Sequence, residues 1–255
     1  MKKRIRLARL LQLIFVLIFI CSSVILISNI WRGYKEQQAF IRLSNHVSET
    51  TVELPEKAEQ SPAILPKYAQ AYRENSDIFG WISISDTAVD YPVMYTPDDP
   101  EHYLRTAFDG TYAVSGVPFL DANCYIGCGN YIIYGHHMKN GTMFSDLLHY
   151  ADIEYWKQHP IINFDTLYEQ NEYEVVAAFY TRIFHPDEAD VFRYYDYTDL
   201  TDKNLFDDFV EGIKDAAMYD TGISVEYGDN FITLSTCSYH TENGRFVVVA
   251  KEKAK

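Results

Sequence analysis

The sequence has 255 residues, of which 36 are acidic and 22 are Lys or Arg, so its formal net charge is −14. Hydrophobic residues make up 47% of the chain and charged residues 23%, which is typical of a folded protein and excludes a disordered one. The acidic balance argues against a protein that tracks nucleic-acid phosphates, and four scattered cysteines do not form a disulfide scaffold.

The amino-terminal end has the pattern of a membrane anchor. Residues 10–30 carry no charge, and at 1.5 Å per residue they span about 31 Å, close to the thickness of the bilayer hydrocarbon. Five basic residues precede them within 1–9, so we expect the amino terminus in the cytoplasm and the rest outside. The alternative is a cleaved signal peptide, which the length of the apolar run and the missing small-residue cleavage site disfavour.

These patterns divide the chain into four parts. A cytoplasmic basic tail at 1–9 precedes a transmembrane anchor at 10–30. A juxtamembrane helix and linker follow at 31–66, because 32–47 suits a short polar helix and 48–66 contains three Pro and no aromatic residue. An extracellular folded domain occupies 67–255.

The folded domain contains eight β-type runs, rich in Val, Ile, Phe and Tyr and bounded by Gly, Asn, Asp or Pro. They lie at 79–84, 88–95, 116–121, 130–136, 161–166, 172–183, 230–237 and 245–251. Helical patterns lie at 67–77, 97–107, 142–158 and 199–218, the last with Leu205, Phe209, Ile213 and Ala216 on one face. The pattern predicts an α+β, mostly β fold: a closed or nearly closed barrel of seven or eight strands with peripheral helices.

Cys237 ends an apolar run in the segment TLSTCSYHTENGRF. A buried small hydrophobe is the ordinary interpretation of a cysteine. Here polar residues flank the thiol, and Arg245 begins the next run. If the two runs pair as a hairpin, the guanidinium can point towards the sulfur, hold a thiolate and donate to an oxyanion. The alternative for Arg245 is a solvated charge at a strand start.

A histidine pair ends another β-type run, in NYIIYGHHM. A nucleophilic cysteine needs a partner that accepts and donates protons, and histidine is the usual one. Spacing alone does not separate His136 from His137. In an extended segment they point to opposite sides, so we expect only one to face Cys237. The alternative is a pair of surface histidines.

The other cysteines raise further possibilities. Cys21 lies in the apolar span and is interpreted as apolar filler. Cys124 and Cys128, shortly before the histidine pair, suggest a zinc site as a rival hypothesis, although their spacing matches no common zinc motif. A local disulfide is a second possibility, and free loop thiols are the default. We therefore predict no metal and no cofactor.

The segment TLSTC with its downstream Arg, and the upstream string YGHHMKNGTMF, resemble the sortases, the membrane-anchored cysteine transpeptidases of Gram-positive bacteria. The helix predicted at 199–218 and the helix before FGWISI are similar to class B. The resemblance implies a β-barrel in which His136 as the catalytic histidine, Cys237 as the nucleophile and Arg245 as the third member converge at one end of a groove. A second histidine at 137 departs from the commoner Asn.

The resemblance also implies the activity. The enzyme would cleave a carboxyl-terminal sorting motif of secreted proteins through a thioacyl intermediate and join them to a cell-wall precursor amine or a pilin Lys, without a cofactor or nucleic acid. Tyr134, Ser235 and Thr236 flank the catalytic pair and are candidate substrate-binding residues, with strand packing as the alternative for each. Substrate selection is expected in the region 184–218.

Two rival functions come from other classes. A metal-dependent hydrolase would use Cys124, Cys128 and the histidine pair. A non-catalytic surface-binding module would keep the barrel with an inert cysteine.

Overall fold

The computed structural model of the protein describes residues 2–49 and 63–254, with side chains at 11–47 and 63–254. The chain divides into two compact units, the first ending at Ile41 and the second beginning at Arg42. Most of the linker predicted at 48–66 lies outside the described residues, as do the side chains of the basic cluster.

The amino-terminal element is one long helix. Helix α1 runs over Lys2–Glu49 without a break. The apolar span and the polar helix predicted at 32–47 are therefore parts of a single element. Almost all side chains at 11–30 are exposed. Among the residues that the structure describes, Leu11–Val47 is one helix long and apolar enough to cross a membrane.

The second unit contains eight strands and three further α-helices. The strands are β1 (Ile78–Ser83), β2 (Asp90–Met94), β3 (Phe119–Leu120), β4 (Asn130–Gly135), β5 (Ile161–Thr166), β6 (Glu172–Arg182), β7 (Phe231–Cys237) and β8 (Gly244–Glu252). The helices are α2 (Ala69–Glu74), α3 (Ile153–Gln158) and α4 (Lys203–Ala216). Short 3₁₀ helices lie at Pro66–Tyr68, His102–Leu104, Phe144–Ala151 and Tyr194–Asp196.

The eight strands form a closed barrel in the order β1-β2-β3-β4-β7-β8-β6-β5, with β5 returning to β1. Two neighbouring pairs are parallel, β2 with β3 and β4 with β7, and the others are antiparallel. Each predicted β-type run contains one strand, so the predicted fold of a mostly β, closed barrel is confirmed.

Strand β7 is buried on both faces, and this explains its continuous apolar run. Its outer side packs against α4, where Phe209 contacts Phe231 at 5.4 Å between ring centroids. The predicted apolar face of α4 needs one correction. Leu205 is 44% exposed, whereas the neighbouring Phe206 is buried. Phe206 takes this place because its ring packs on Phe231 from the same side of the helix.

Two other helix predictions differ from the structure. The helix predicted at 97–107 is wrong, since only His102–Leu104 forms a 3₁₀ turn there. Pro100 lacks the N–H that a helix interior needs, and the chain turns beside it. The helix predicted at 142–158 is broken at Asp152, whose carboxylate accepts from Glu154 N and caps α3.

Candidate active site

The site lies where two parallel neighbours end. The ladder between β4 and β7 closes with Gly135 opposite Thr236. Because parallel strands end at the same edge of a sheet, His136 and Cys237 follow on adjacent strands although they are far apart in sequence. The hydroxyl of Thr236 donates to Gly135 O at 2.8 Å and joins the two strand ends.

The hairpin of β7 and β8 brings Arg245 beside the thiol. Cys237 pairs with Arg245, as expected from the sequence. Ser238 N donates to Gly244 O at 2.9 Å, which makes Cys237 and Arg245 a non-hydrogen-bonded pair. In such a pair the Cα atoms are about 4.5 Å apart and the side chains lie close together on one face.

All six candidate site residues line one groove of about 550 Å³. These are His136, Cys237, Arg245, Tyr134, Ser235 and Thr236. The opposite parts of the groove come from loops, and they include Leu104, Asp121, Ile183, Tyr195 and Asp196. The second histidine, His137, is not among the lining residues.

His136 is half-buried, and its Nε2 donates to Leu104 O at 2.9 Å. Burial lowers the pKa of this imidazole below its ordinary value of 6.5, the charge of Arg105 adds to the effect and the hydrogen bond to Leu104 opposes it. The ring is therefore mainly neutral at pH 7, with Nδ1 free to accept a proton. Within the described chain it is not hydrogen-bonded to Cys237.

The guanidinium of Arg245 is held by main-chain oxygens. Its Nη1 donates to Gly244 O at 3.0 Å and, at the longer distance of 3.4 Å, to Asn243 O. Within the described residues no carboxylate forms an ion pair with it. Its other N–H groups remain available to a ligand in the groove, and five donors in a rigid fork suit an oxyanion.

The other three predicted site residues use their hydroxyl groups inside the protein. Tyr134 donates to Asp121 Oδ2 at 2.9 Å, and Ser235 shares a hydrogen bond of 2.7 Å with Tyr194. Burial raises the pKa of Tyr194 to about 12, so this hydroxyl stays protonated. Together with the bond of Thr236 to Gly135, these contacts make the three residues a rigid wall of the groove.

Sequence reasoning missed several residues of this site. Leu104 holds the His136 ring through its main-chain oxygen, so its side chain carries no pattern that could reveal it. Tyr194 is fully buried behind Ser235. It lies within the region 184–218, where the sequence predicts substrate selection, but a buried role was not evident.

Cys124 and Cys128 are buried free thiols that point to one acceptor, Asn130 O, at 3.6 and 3.4 Å. The hydrogen bond with Cys128 and burial raise the pKa of Cys124, which keeps that thiol protonated and unreactive. The histidine pair bonds elsewhere, to Leu104 O and Cys237 O. In the described part of the chain no group of three or more His, Cys, Asp or Glu is arranged to hold a metal.

The chain has clear relatives among known protein families. The sortase domain model matches residues 82–253. Sortase B of Listeria monocytogenes is 32% identical over 182 residues, which cover 69% of this chain and 70% of the relative. Sortase B of Staphylococcus aureus is 30% identical over 192 residues, covering 74% and 75%. The chain is a class B sortase.

Solved structures agree with this sortase assignment. A sortase B from Bacillus anthracis in complex with AAEK1 superposes with a TM-score of 0.72 at 26% identity, covering 89% of this sortase and 100% of that chain. A Staphylococcus aureus sortase B–substrate complex superposes with a TM-score of 0.67 at 28% identity, covering 86% and 94%. The sortase is therefore a cysteine transpeptidase, and the metal-dependent hydrolase and the non-catalytic module are not favoured. Sortases act on sorting-motif substrates and amine acceptors.

Proposed function

We propose that Cys237, His136 and Arg245 carry out the transpeptidation. The observation that supports this most directly is their convergence on one groove, at the edge where β4 and β7 end and β8 begins. The thiol is half-buried and flanked by hydroxyl groups, whereas Cys124 and Cys128 are fully buried.

In the first half-reaction, Cys237 Sγ attacks a backbone carbonyl within the sorting motif and a C–S bond forms. Neutral His136 accepts the thiol proton on Nδ1, since Nε2 already donates to Leu104 O. The same proton then goes to the departing amine as the C–N bond breaks. A thioacyl enzyme and a released peptide are the products.

Arg245 stabilises the oxyanion that forms on the attacked carbonyl. Its guanidinium is held by two main-chain oxygens and meets no carboxylate among the described residues, so its charge is not neutralised before substrate arrives. Donors that are already oriented contribute most where charge develops in the transition state.

In the second half-reaction, an amine attacks the thioacyl carbon while His136 takes its proton. An amide bond forms, the C–S bond breaks and the thiol is regenerated. The acceptor is the amine of a cell-wall precursor or a pilin Lys. A sortase B has been solved in complex with triglycine, and that of Staphylococcus aureus with a substrate, which supports peptide binding in the groove.

Tyr134, Ser235 and Thr236 form the groove wall against which the sorting motif lies. Selection among motifs falls to the region 184–218, whose Tyr195 and Asp196 reach the groove. Helix α1 anchors the enzyme in the plasma membrane, with the amino terminus in the cytoplasm and the catalytic domain outside.

The test uses the full chain in detergent, candidate sorting-motif peptides and triglycine as the amine. Mass spectrometry should find peptide–triglycine products and an acyl adduct on Cys237. The Cys237→Ala variant should give neither, whereas Cys124→Ala should give both. An acyl adduct on another cysteine, or cleavage by the Cys237→Ala variant, would overturn the assignment.

A further inference from the structure

We infer that His137 is a positioning residue for the nucleophile, through a hydrogen bond from its ring to the main-chain carbonyl of Cys237. The inference rests on the proposed role of Cys237. It gives the two adjacent histidines separate tasks: His136 moves the proton inside the groove, and His137 holds the strand end from outside its lining.

The contact itself is specific. His137 Nδ1 lies 3.2 Å from Cys237 O. A carbonyl oxygen can only accept, so Nδ1 carries the proton in this contact. The ring is half-buried, and its centroid lies 5.6 Å from that of Tyr239, which follows Cys237 by two residues.

The carbonyl of Cys237 faces β4 because of its pairing with β8. Cys237 and Arg245 are a non-hydrogen-bonded pair, as the bond from Ser238 N to Gly244 O requires. In such a pair both main-chain polar groups point away from the partner strand. The carbonyl therefore points towards the end of β4, the neighbour on the other side.

The main chain of β4 has already turned away at this level. In a continued parallel ladder, Cys237 would stand opposite residue 136 and accept from the N–H of residue 137. Instead, the ladder ends at Gly135, His136 O accepts from Phe144 N at 2.9 Å, and His137 forms a bridge with Met143. The His137 side chain thus supplies the donor that the main chain of β4 no longer offers.

Two bonds then fix the peptide unit that follows the nucleophile. His137 holds its oxygen, and Gly244 O accepts its N–H, that of Ser238. With this unit fixed, the Cα–Cβ bond of Cys237 keeps its direction relative to His136 and Arg245. Small displacements of a nucleophile reduce turnover more than they reduce substrate binding, so the effect belongs in kcat.

The experiment compares wild type with two variants of the full chain in detergent. His137→Leu keeps the bulk and removes the donor, and His137→Asn restores an N–H on a side chain of similar reach. We expect kcat to fall about threefold to tenfold in the Leu variant, the range for loss of one neutral hydrogen bond. KM and Tm should stay near wild type, and the Asn variant should recover most of the loss.

The matched control is His159. Its Nδ1 bonds Ser85 O at 3.0 Å, the same kind of contact away from the groove. His159→Leu should leave kcat unchanged. If the His137→Leu variant does not fold, His137→Ala takes its place, and the ratio of kcat between the Asn and Ala variants is the result.

The inference is overturned by wild-type kcat in the variants without a donor, by an Asn variant no better than Leu, or by equal losses in the His137 and His159 variants. These results differ from failure of the proposed function. If Cys237→Ala retains activity, the proposed nucleophile is wrong. If it is inactive while His137→Leu behaves as wild type, only the positioning role is wrong.

Discussion

The two adjacent histidines meet different atoms, so their truncations should differ in size. His136→Ala removes the proton acceptor from the groove, and a positioned acid–base group contributes about 10²–10⁴-fold. His137→Ala removes a single hydrogen bond to a main-chain oxygen and should cost about threefold to tenfold. Measurement of kcat for both variants, with Tm as the control for folding, decides. Equal losses would contradict the assignment of His136.

Arg245 is predicted to act on developing charge and not on stability. Arg245→Lys keeps the positive charge but loses the fork of donors, and removal of one oxyanion donor costs about 100–1000-fold in kcat. The Tm should stay near wild type, because the side chain bonds only oxygens of its own turn, at Asn243 and Gly244. Near-wild-type turnover in the Lys variant would falsify the oxyanion role.

The pH dependence follows from the environment of His136. Burial lowers its pKa, so the ring stays neutral to lower pH than a free histidine and loses its acceptor only below 6.5. The acid limb of kcat/KM should therefore lie below pH 6.5. Arg105→Gln removes a nearby positive charge, which raises the pKa of His136 and should move this limb to higher pH. Arg73→Gln, on α2 and outside the groove lining, is the control.

At the scale of elements, the strands were predictable because their physical signal is local. Runs such as that of β7 combine β-branched and aromatic residues between Gly or Asn boundaries. The failures came from competing local terms: Pro100 ended a helical pattern, and Asp152 capped a new helix inside another. Which of Leu205 and Phe206 is buried depends on the ring of Phe231, which no local pattern shows.

The parallel pairing of β4 with β7 belongs to the same category of information. It joins strands separated by two α-helices and two other strands, and their meeting depends on the closed ring. The sequence could identify Cys237, Arg245 and the histidine pair as chemistry-bearing residues, and the neighbouring hairpin linked two of them. The oxygen of Leu104 and the hydrogen bond from His137 could not be predicted, because both depend on where β4 stops.

The close approach of β4 to a buried ring gives a prediction for the element. A Cβ on Gly135 would lie 2.5–2.9 Å from ring atoms of Phe144, which is fully buried. Gly135→Ala should therefore lower stability by about 1–3 kcal/mol through overpacking and reduce kcat by displacing His136. A second change, Phe144→Leu, should recover part of both losses. Wild-type Tm and kcat in Gly135→Ala would show that the strand end yields without effect.

At the scale of the whole molecule, the proposed topology and the thiol environments combine in one measurement. On intact cells, a membrane-impermeant maleimide should label the full chain at Cys237 alone. Cys124 and Cys128 are buried, and Cys21 lies in the apolar part of α1. The Cys237→Ala variant should stay unlabelled, and a wild-type chain that is labelled only after cell lysis would contradict an extracellular catalytic domain.

The closed ring has a consequence for the birth of activity. Cys237 and His136 meet only through the β4–β7 ladder, whose two strands are distant in the chain, and the ring itself closes between β1 and β5. Contacts of such high sequence separation form late and slowly during folding. A newly made chain therefore carries a thiol without its acid–base partner or its guanidinium. The protein stays catalytically silent until the barrel is complete, so its own folding serves as the activation step.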